Sequence, residues 1–397
     1  MQLAKRTTLI SPSPTLGITA KVNQLRAQGI DVIGFGAGEP DFDTPSYIKE
    51  EAIKSLQAGF TKYTATSGIP ELKAAIAAKL KRDNGLDFQP SEIIVSCGAK
   101  HSLYNAIMVL CEKGDEVILA SPYWVSYLEM IKLSGAKPVI IKTSEKNNFK
   151  ISPEQLLAKI RPKTKLLILN SPSNPTGMMY TAQELEIFAK IAVDKNFLVI
   201  SDEIYEKLVY SDTKPVSIAS FGPAIKERTI IINGVSKTYA MTGWRIGYAA
   251  ARQDIVQAMA NLQDHSTSNP VSFVQKAAVV AINGTQDEVE RMRLEFKKRR
   301  DYMVERVNNI KKISCLTPEG AFYVFVNISK LLNKTINGLV INDSLSLAEC
   351  WLNEAKVAVI PGSGFGNDNY VRLSYAASFE KIKTGMDRIE EVINKYY

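Results

Sequence analysis

Ser236-Lys237-Thr238-Tyr239-Ala240-Met241-Thr242-Gly243-Trp244-Arg245 sets one lysine between two strand-like runs, Thr229-Ile-Ile-Ile-Asn233 and Ile246-Gly-Tyr-Ala-Ala250. A lysine held there loses hydration, and burial favours its neutral form. A neutral amine can form an imine with an aldehyde and later serve as a base. Arg245 follows in the same segment and can hold a phosphate. Most lysines are solvated surface charges, so the weight of this one depends on what the rest of the chain sets beside it.

From about residue 90, short β-rich runs alternate with helical patterns. Candidate strands are 93–97, 116–120, 138–141, 166–170, 198–201, 229–232 and 246–250. Amphipathic stretches near 101–112, 124–134, 153–161 and 182–195 lie between them. Continuous apolar strands separated by helices predict an α/β fold, with a mostly parallel seven-stranded sheet covered on both faces. One long helical pattern, about 271–310, follows. Then come a β-rich run at 320–326, a helix at 344–354, and strands at 357–360 and 371–375, which read as a smaller α+β domain. The expected organisation is an N-terminal segment, 1–45, packed with the small domain, a large domain, 46–290, and a small C-terminal domain, 291–397.

Composition narrows the function classes. The 397 residues are 45% hydrophobic and 23% charged, ordinary usage for a chain with a large core. The net charge of +8 raises the question of nucleic acid, but the basic residues are spread along the chain. The densest run, Lys297-Lys298-Arg299-Arg300, has helical spacing with Met292, Phe296 and Met303, and reads as one solvated helix face. No nucleic-acid partner is expected. Four cysteines fit no zinc or disulfide spacing, and two histidines exclude a histidine-rich metal site. No stretch reaches ~18 apolar residues, and no apolar signal core follows Met1, so a cytoplasmic protein without membrane contact is expected. Gly34-Phe-Gly36-Ala-Gly38 and Gly362-Ser-Gly364-Phe-Gly366 have the wrong spacing for dinucleotide binding.

In open α/β sheets, ligands bind beyond the carboxyl ends of the strands. After 93–97 comes Gly98-Ala99-Lys100, opening a helix whose free N–H groups suit a phosphate. After 166–170 comes Ser171-Pro-Ser-Asn174-Pro-Thr-Gly177, which presents an amide. After 198–201 comes Asp202-Glu-Ile-Tyr205, and after 229–232 the Lys237 segment. Any one of these is explained as a turn or a cap. Together they gather a phosphate nest, an amide, a carboxylate with a phenol, and an amine with a guanidinium. That set suits pyridoxal 5′-phosphate (PLP), which carries an aldehyde, a phosphate and a basic ring nitrogen.

The Ser236–Arg245 segment resembles the PLP-lysine signature of class I aminotransferases, the PLP-dependent transferase fold type I. Ala37-Gly-Glu-Pro-Asp-Phe-Asp-Thr-Pro45, Lys62-Tyr63, Ser121-Pro-Tyr-Trp-Val-Ser-Tyr127, Asn170–Gly177, Ser201–Tyr205 and Val371-Arg-Leu-Ser-Tyr375 fit as well. The resemblance covers nearly the whole chain and is greatest to the bacterial-type aspartate aminotransferase branch, which includes aspartate/prephenate aminotransferases. It implies that Lys237 is the Schiff-base lysine and proton shuttle, that Asp202 pairs with the pyridinium nitrogen, and that Asn174 and Tyr205 bond the ring oxygen. Trp124 would stack on the ring, and Ala99, Lys100, Ser236 and Arg245 would hold the phosphate. Tyr63 would reach the neighbouring subunit's phosphate, implying a homodimer with shared sites. Arg372 would clamp the substrate α-carboxylate, with the Gly38 backbone close by.

The distal side of the substrate pocket departs from the animal-type pattern, because His265-Ser-Thr-Ser-Asn-Pro270 offers no arginine. The bacterial branch is expected to use Lys100 with hydroxyls near Ser13 and Thr15. An ammonium there favours an anionic side chain. The expectation is aspartate and glutamate as amino donors to 2-oxo acids, with prephenate open as an acceptor. A carbon–sulfur β-lyase would keep the same cofactor residues. A PLP-sensing regulator would add a DNA-binding helical domain, and is not expected in a chain that opens almost directly on the aminotransferase pattern.

Overall fold

A computed structural model describes residues 3–12 and 14–397, apart from the side chains of residues 14–16 and 19. Its centre is a seven-stranded sheet. In spatial order the strands are Ile93–Ser96, Gly247–Ala250, Thr229–Gly234, Leu198–Asp202, Thr164–Asn170, Glu116–Ser121 and Lys137–Lys142. All pairs are parallel except those made by Gly247–Ala250, which runs antiparallel to both neighbours.

The inner strands read as apolar runs because both faces are covered, whereas the edge strand Lys137–Lys142 is largely exposed. Ile93, Val95, Ile231 and Tyr248 point into a core with the helices Ser46–Gln57, Pro70–Asn84 and Ser272–Asn283. Their neighbours Ile94, Ile230, Ile232 and Ala249 point the other way, against Ala99–Leu110, Val125–Ser134 and Gln253–Asp264. The side-chain alternation of a strand thus feeds two separate cores.

A further core surrounds a three-stranded antiparallel sheet of Ile360–Pro361, Tyr370–Ser374 and Tyr323–Asn327. The helices Asp287–Asn309, Ser344–Glu354 and Phe379–Tyr396 cover it, and Trp351, Phe322 and Tyr375 are fully buried there. Ile33–Gly34 pairs in parallel with Val357–Ala358, tying the N-terminal segment to this region. The same core includes Ile204 and Tyr205, from the turn after Leu198–Asp202. The two packed regions therefore meet beside the carboxyl ends of the central strands.

Two expectations need correction. The 271–310 pattern is two helices, Ser272–Asn283 and Asp287–Asn309. Gly284 separates them where a Cβ would lie 2.7 Å from the Val280 carbonyl. Asp287, Glu288 and Glu290 then favour a fresh N-terminus through the helix dipole. The basic run 297–300 is also not one solvated face. Arg299 is buried, paired with Asp41 at 2.7 Å and Glu295 at 2.9 Å, and buried Arg300 donates to the Pro318 carbonyl. Helical spacing put these two on the core side, and their long stems made that possible.

Candidate active site

A cleft of about 800 Å³ opens at the strand ends. The Ala99–Leu110 helix points its N-terminus into it, with Gly98 at φ 89° as the preceding residue. A Cβ on Gly98 would lie 2.5 Å from Arg245 Nη2, and one on Gly247 only 2.0 Å from the Ala99 nitrogen. The two glycines let a strand, a helix start and a guanidinium crowd one corner. Arg245 itself has φ 58° and donates to the carbonyls of Thr242 at 2.9 Å and Cys97 at 3.2 Å. Ser236 is buried and lines the same cleft.

Lys237 is half-buried, and its Nζ donates to the Gly38 carbonyl at 2.7 Å. Loss of hydration pushes its pKa down to about 8, with Arg245, Arg372 and Lys100 adding to the effect against the pull of Glu39. Asp202 ends its strand only 4% exposed. Tyr127 Oη donates to Asp202 Oδ2 at 2.6 Å, and the Ile204 N–H donates to Oδ1 at 3.2 Å. Burial lifts the Asp202 pKa to about 6, although those two donors and Lys237 favour the carboxylate.

A chain of hydrogen bonds runs across the cleft floor. Asn170 Nδ2 donates to the Asp202 carbonyl at 3.0 Å, and the Asn174 N–H donates to Asn170 Oδ1 at 2.8 Å. Arg372 Nη1 donates to Asn174 Oδ1 at 2.9 Å, and its Nη2 to the Gly36 carbonyl at 3.0 Å. Arg372 is 2% exposed, lies 4.2 Å above the Tyr323 ring, and its Nε has no partner among the described residues. Tyr205 and Tyr323 join their hydroxyls at 3.0 Å. Lys100 Nζ stands 5.0 Å from the Trp124 ring, its pKa lowered by desolvation and by Arg245.

The cleft thus gathers Gly38, Ala99, Lys100, Trp124 and Asn174 with Asp202, Tyr205, Ser236, Lys237, Arg245 and Arg372. Tyr63 is not among its lining residues and is 91% exposed. Ser13 and the Thr15 side chain lie outside the described residues. Among the described residues, no cluster of acids, cysteines and histidines could hold a metal ion, and no helix is long and apolar enough to cross a membrane. Sequence reasoning passed over Tyr127, Tyr323 and Glu39, whose carboxylate accepts from Thr242 Oγ1 at 2.6 Å. Tyr323 sits in an apolar run and reads as core, and Tyr127 closes the quoted Ser121–Tyr127 stretch without a polar role being read from it.

Cations dominate the cleft. Among the described residues that line it, Arg26, Lys100, Lys237, Arg245 and Arg372 stand against two acids, Asp202 and Glu39. Such a site attracts anions, and it offers a depressed amine beside a buried carboxylate.

Residues 30–389 match the family described as aminotransferase class I and II. The chain is 49% identical over 396 residues to the aspartate aminotransferase of Bacillus subtilis, covering 100% of both chains. It is 47% identical to a probable aspartate/prephenate aminotransferase of Rickettsia conorii, covering 99% of this chain and 98% of the relative. The crystal structure of the aspartate aminotransferase from Rhizobium meliloti superposes with a TM-score of 0.96 at 41% identity, covering 100% of both chains. That of the Thermus thermophilus enzyme with maleate superposes with a TM-score of 0.93 at 40% identity, covering 99% of this chain and 100% of that one. On the match of its own residues and the fold they build, this chain belongs to the class I and II aminotransferase family.

Proposed function

We propose that this chain is a PLP-dependent aspartate aminotransferase, transferring the amino group of L-aspartate to 2-oxoglutarate to give oxaloacetate and L-glutamate. The observation that carries the reading is the pairing of the depressed Lys237 amine with the buried Asp202 carboxylate in one cation-rich cleft. The residues fit the cofactor. A carboxylate this buried is stabilised by a cationic partner, and the crowded corner at Gly98 and Gly247 leaves backbone N–H groups beside Arg245 for a phosphate.

When bound, PLP supplies an aldehyde and an electron-withdrawing ring. Lys237 would hold it through its amine, and the same amine would move a proton at the substrate α-carbon. Asp202 would keep the ring nitrogen protonated. Asn174 and Tyr205 would hold the ring oxygen, with Trp124 against the ring. Ala99, Lys100, Ser236 and Arg245 would hold the phosphate. Arg372, already fixed by Asn174 and Gly36, presents its planar fork to the α-carboxylate beside Gly38. Lys100 selects an anionic side chain, with Ser13 and Thr15 as hydroxyl partners. The Rickettsia relative, named as acting on prephenate, supports that oxo acid as a further acceptor.

The exposed Tyr63 supports a homodimer in which it completes the partner's phosphate site. We assign residues 46–290 and 291–397 to the large and small domains, with 1–45 packed on the latter, and place the enzyme in the cytoplasm.

Single amino acids added to PLP-loaded protein test the reading. Aspartate and glutamate should convert the cofactor to its amine form, seen as an absorbance shift. Pyruvate release from cystathionine, with no conversion by aspartate, would assign a β-lyase instead.

A further inference from the structure

Asp202 lies at the floor of the cleft, and three titratable side chains face it: Tyr127, Tyr205 and Lys237. They come from three different elements. Tyr127 stands on the first turn of Val125–Ser134, Tyr205 follows Leu198–Asp202, and Lys237 follows Thr229–Gly234. Among the described residues, Tyr127 alone is hydrogen-bonded to the carboxylate by its side chain, at 2.6 Å to Oδ2. That length is typical of a hydroxyl donating to an ionised oxygen. The other oxygen, Oδ1, is occupied by the Ile204 N–H. The phenol is buried, and its ring packs edge-on against Trp124, centroids 5.2 Å apart.

We propose that Tyr127 is a positioning residue for the transamination site, whose phenol keeps Asp202 ionised and fixes the carboxylate toward the cleft. The proposal rests on the functional reading above and deepens it. A carboxylate cut off from water reverts to its neutral acid unless donors replace the lost hydration. Tyr127 is suited to that task because its own proton is secure. Burial and the adjacent Asp202 charge raise its pKa well above the usual phenol value, so it donates throughout the neutral range. Even with this donor, burial holds Asp202 near the upper end of carboxylate behaviour. Without it, the acid form gains ground, and a neutral Asp202 loses the charge that attracts a protonated ring nitrogen.

Tyr127→Phe keeps the ring against Trp124 and removes only the hydroxyl. Losing one hydrogen bond to a charged group corresponds to an upward shift of about one pH unit in the Asp202 titration. Two measurements read it. In cofactor-free protein, the ¹³C resonance of the Asp202 carboxyl, assigned with Asp202→Asn, should titrate about one unit higher in Tyr127→Phe. The dissociation constant for PLP, measured by fluorescence from pH 5.5 to 8.5, should rise about tenfold on the acid side and approach the parent value on the alkaline side. Matching titration midpoints, or an affinity loss equal at every pH, would overturn the proposal and leave Tyr127 a packing residue. A parent protein that binds no PLP would sink the functional reading instead, and the carboxyl titration would still judge Tyr127.

Discussion

Gly247→Ala adds one methyl group at the most crowded point of the candidate site. The new Cβ would lie 2.0 Å from the Ala99 nitrogen, 2.4 Å from the Gly98 carbonyl carbon and 2.6 Å from the Ala99 Cα. Ordinary contact between such atoms begins near ~3.5 Å, so about 1.5 Å of movement is required. The strand cannot supply it. Gly247 is locked on both sides, opposite Ser96 in one ladder and Gly234 in the other, and a Cβ on Gly234 would itself meet Gly247 at 2.9 Å. The helix start must move instead, carrying the Ala99 and Lys100 backbone with it. Overpacking of this kind costs about 1–3 kcal/mol, and displacing a positioning group by about 1 Å can cost on the order of 10² in rate. Urea unfolding and PLP titration read the two effects separately. The expected result is a lower unfolding midpoint and an affinity for PLP reduced about tenfold or more. Gly17→Ala, in the helix Pro14–Ala27, adds a Cβ that meets no described atom within 4 Å; as the control it should keep PLP affinity and, if anything, raise the unfolding midpoint. A Gly247→Ala protein with parental stability and parental PLP affinity would refute the claim that this corner holds the phosphate.

Three further outcomes follow from the same geometry. Lys237 reacts as the neutral amine and its pKa is pushed down to about 8, so the rate of PLP capture should rise about tenfold per pH unit below that value and level off above it; a flat stopped-flow profile from pH 6 to 9, or normal turnover in Lys237→Ala, would remove it from the role. Lys100→Ala should raise KM for aspartate far more than for an aromatic amino acid, and equal effects on both would end its assignment to the distal carboxylate. Lys79→Met strands the buried Glu206 carboxylate, now paired with Lys79 and bonded by Asn84 at 3.1 Å and Asn233 at 2.7 Å, and should cost about 3 kcal/mol near neutral pH. Because Lys79 holds the Glu206 pKa down, that stabilisation is present above the ordinary carboxylate range and is lost as pH falls; the gap between parent and variant in urea should therefore narrow in acid, and a constant gap would count against the ion pair.

The central sheet was legible because each strand runs apolar and is cut off by polar or glycine residues. The seven strand runs in the sequence correspond to the seven strands of the sheet, with ends differing by one or two residues. The polar residues of the site were legible for the same reason: Asp202, Asn174 and Lys237 interrupt apolar patterns at strand ends. What failed to register was contact between distant segments. Tyr127 belongs to the quoted Ser121–Tyr127 stretch, but nothing in the sequence pairs its hydroxyl with Asp202, and only the fold brings the two together across 75 residues. The break at Gly284 was hidden because apolar spacing continues across it, and short pairings such as Ile33 with Val357 carry no periodicity to detect. Arg299 and Arg300 read as surface because charge outweighed phase, although their helical phase placed them inward.

The electrostatics of the cleft supply a reason for its cations to stand together. Arg245, Arg372 and Lys100 all lower the proton affinity of Lys237. In the cofactor-free protein this repulsion favours the neutral amine, the form that attacks an aldehyde. On the proposed reading each of the three cations would meet an anion: a phosphate at Arg245, an α-carboxylate at Arg372, a distal carboxylate at Lys100. As those anions arrive, the repulsion on Lys237 is screened and its affinity for a proton rises. The amine would thus be a better nucleophile in the empty site and a better base in the filled one. One lysine can then serve both steps, because its charge environment changes with occupancy: in the empty cleft its Nζ rests on the Gly38 carbonyl, and it leaves that acceptor when it bonds an aldehyde.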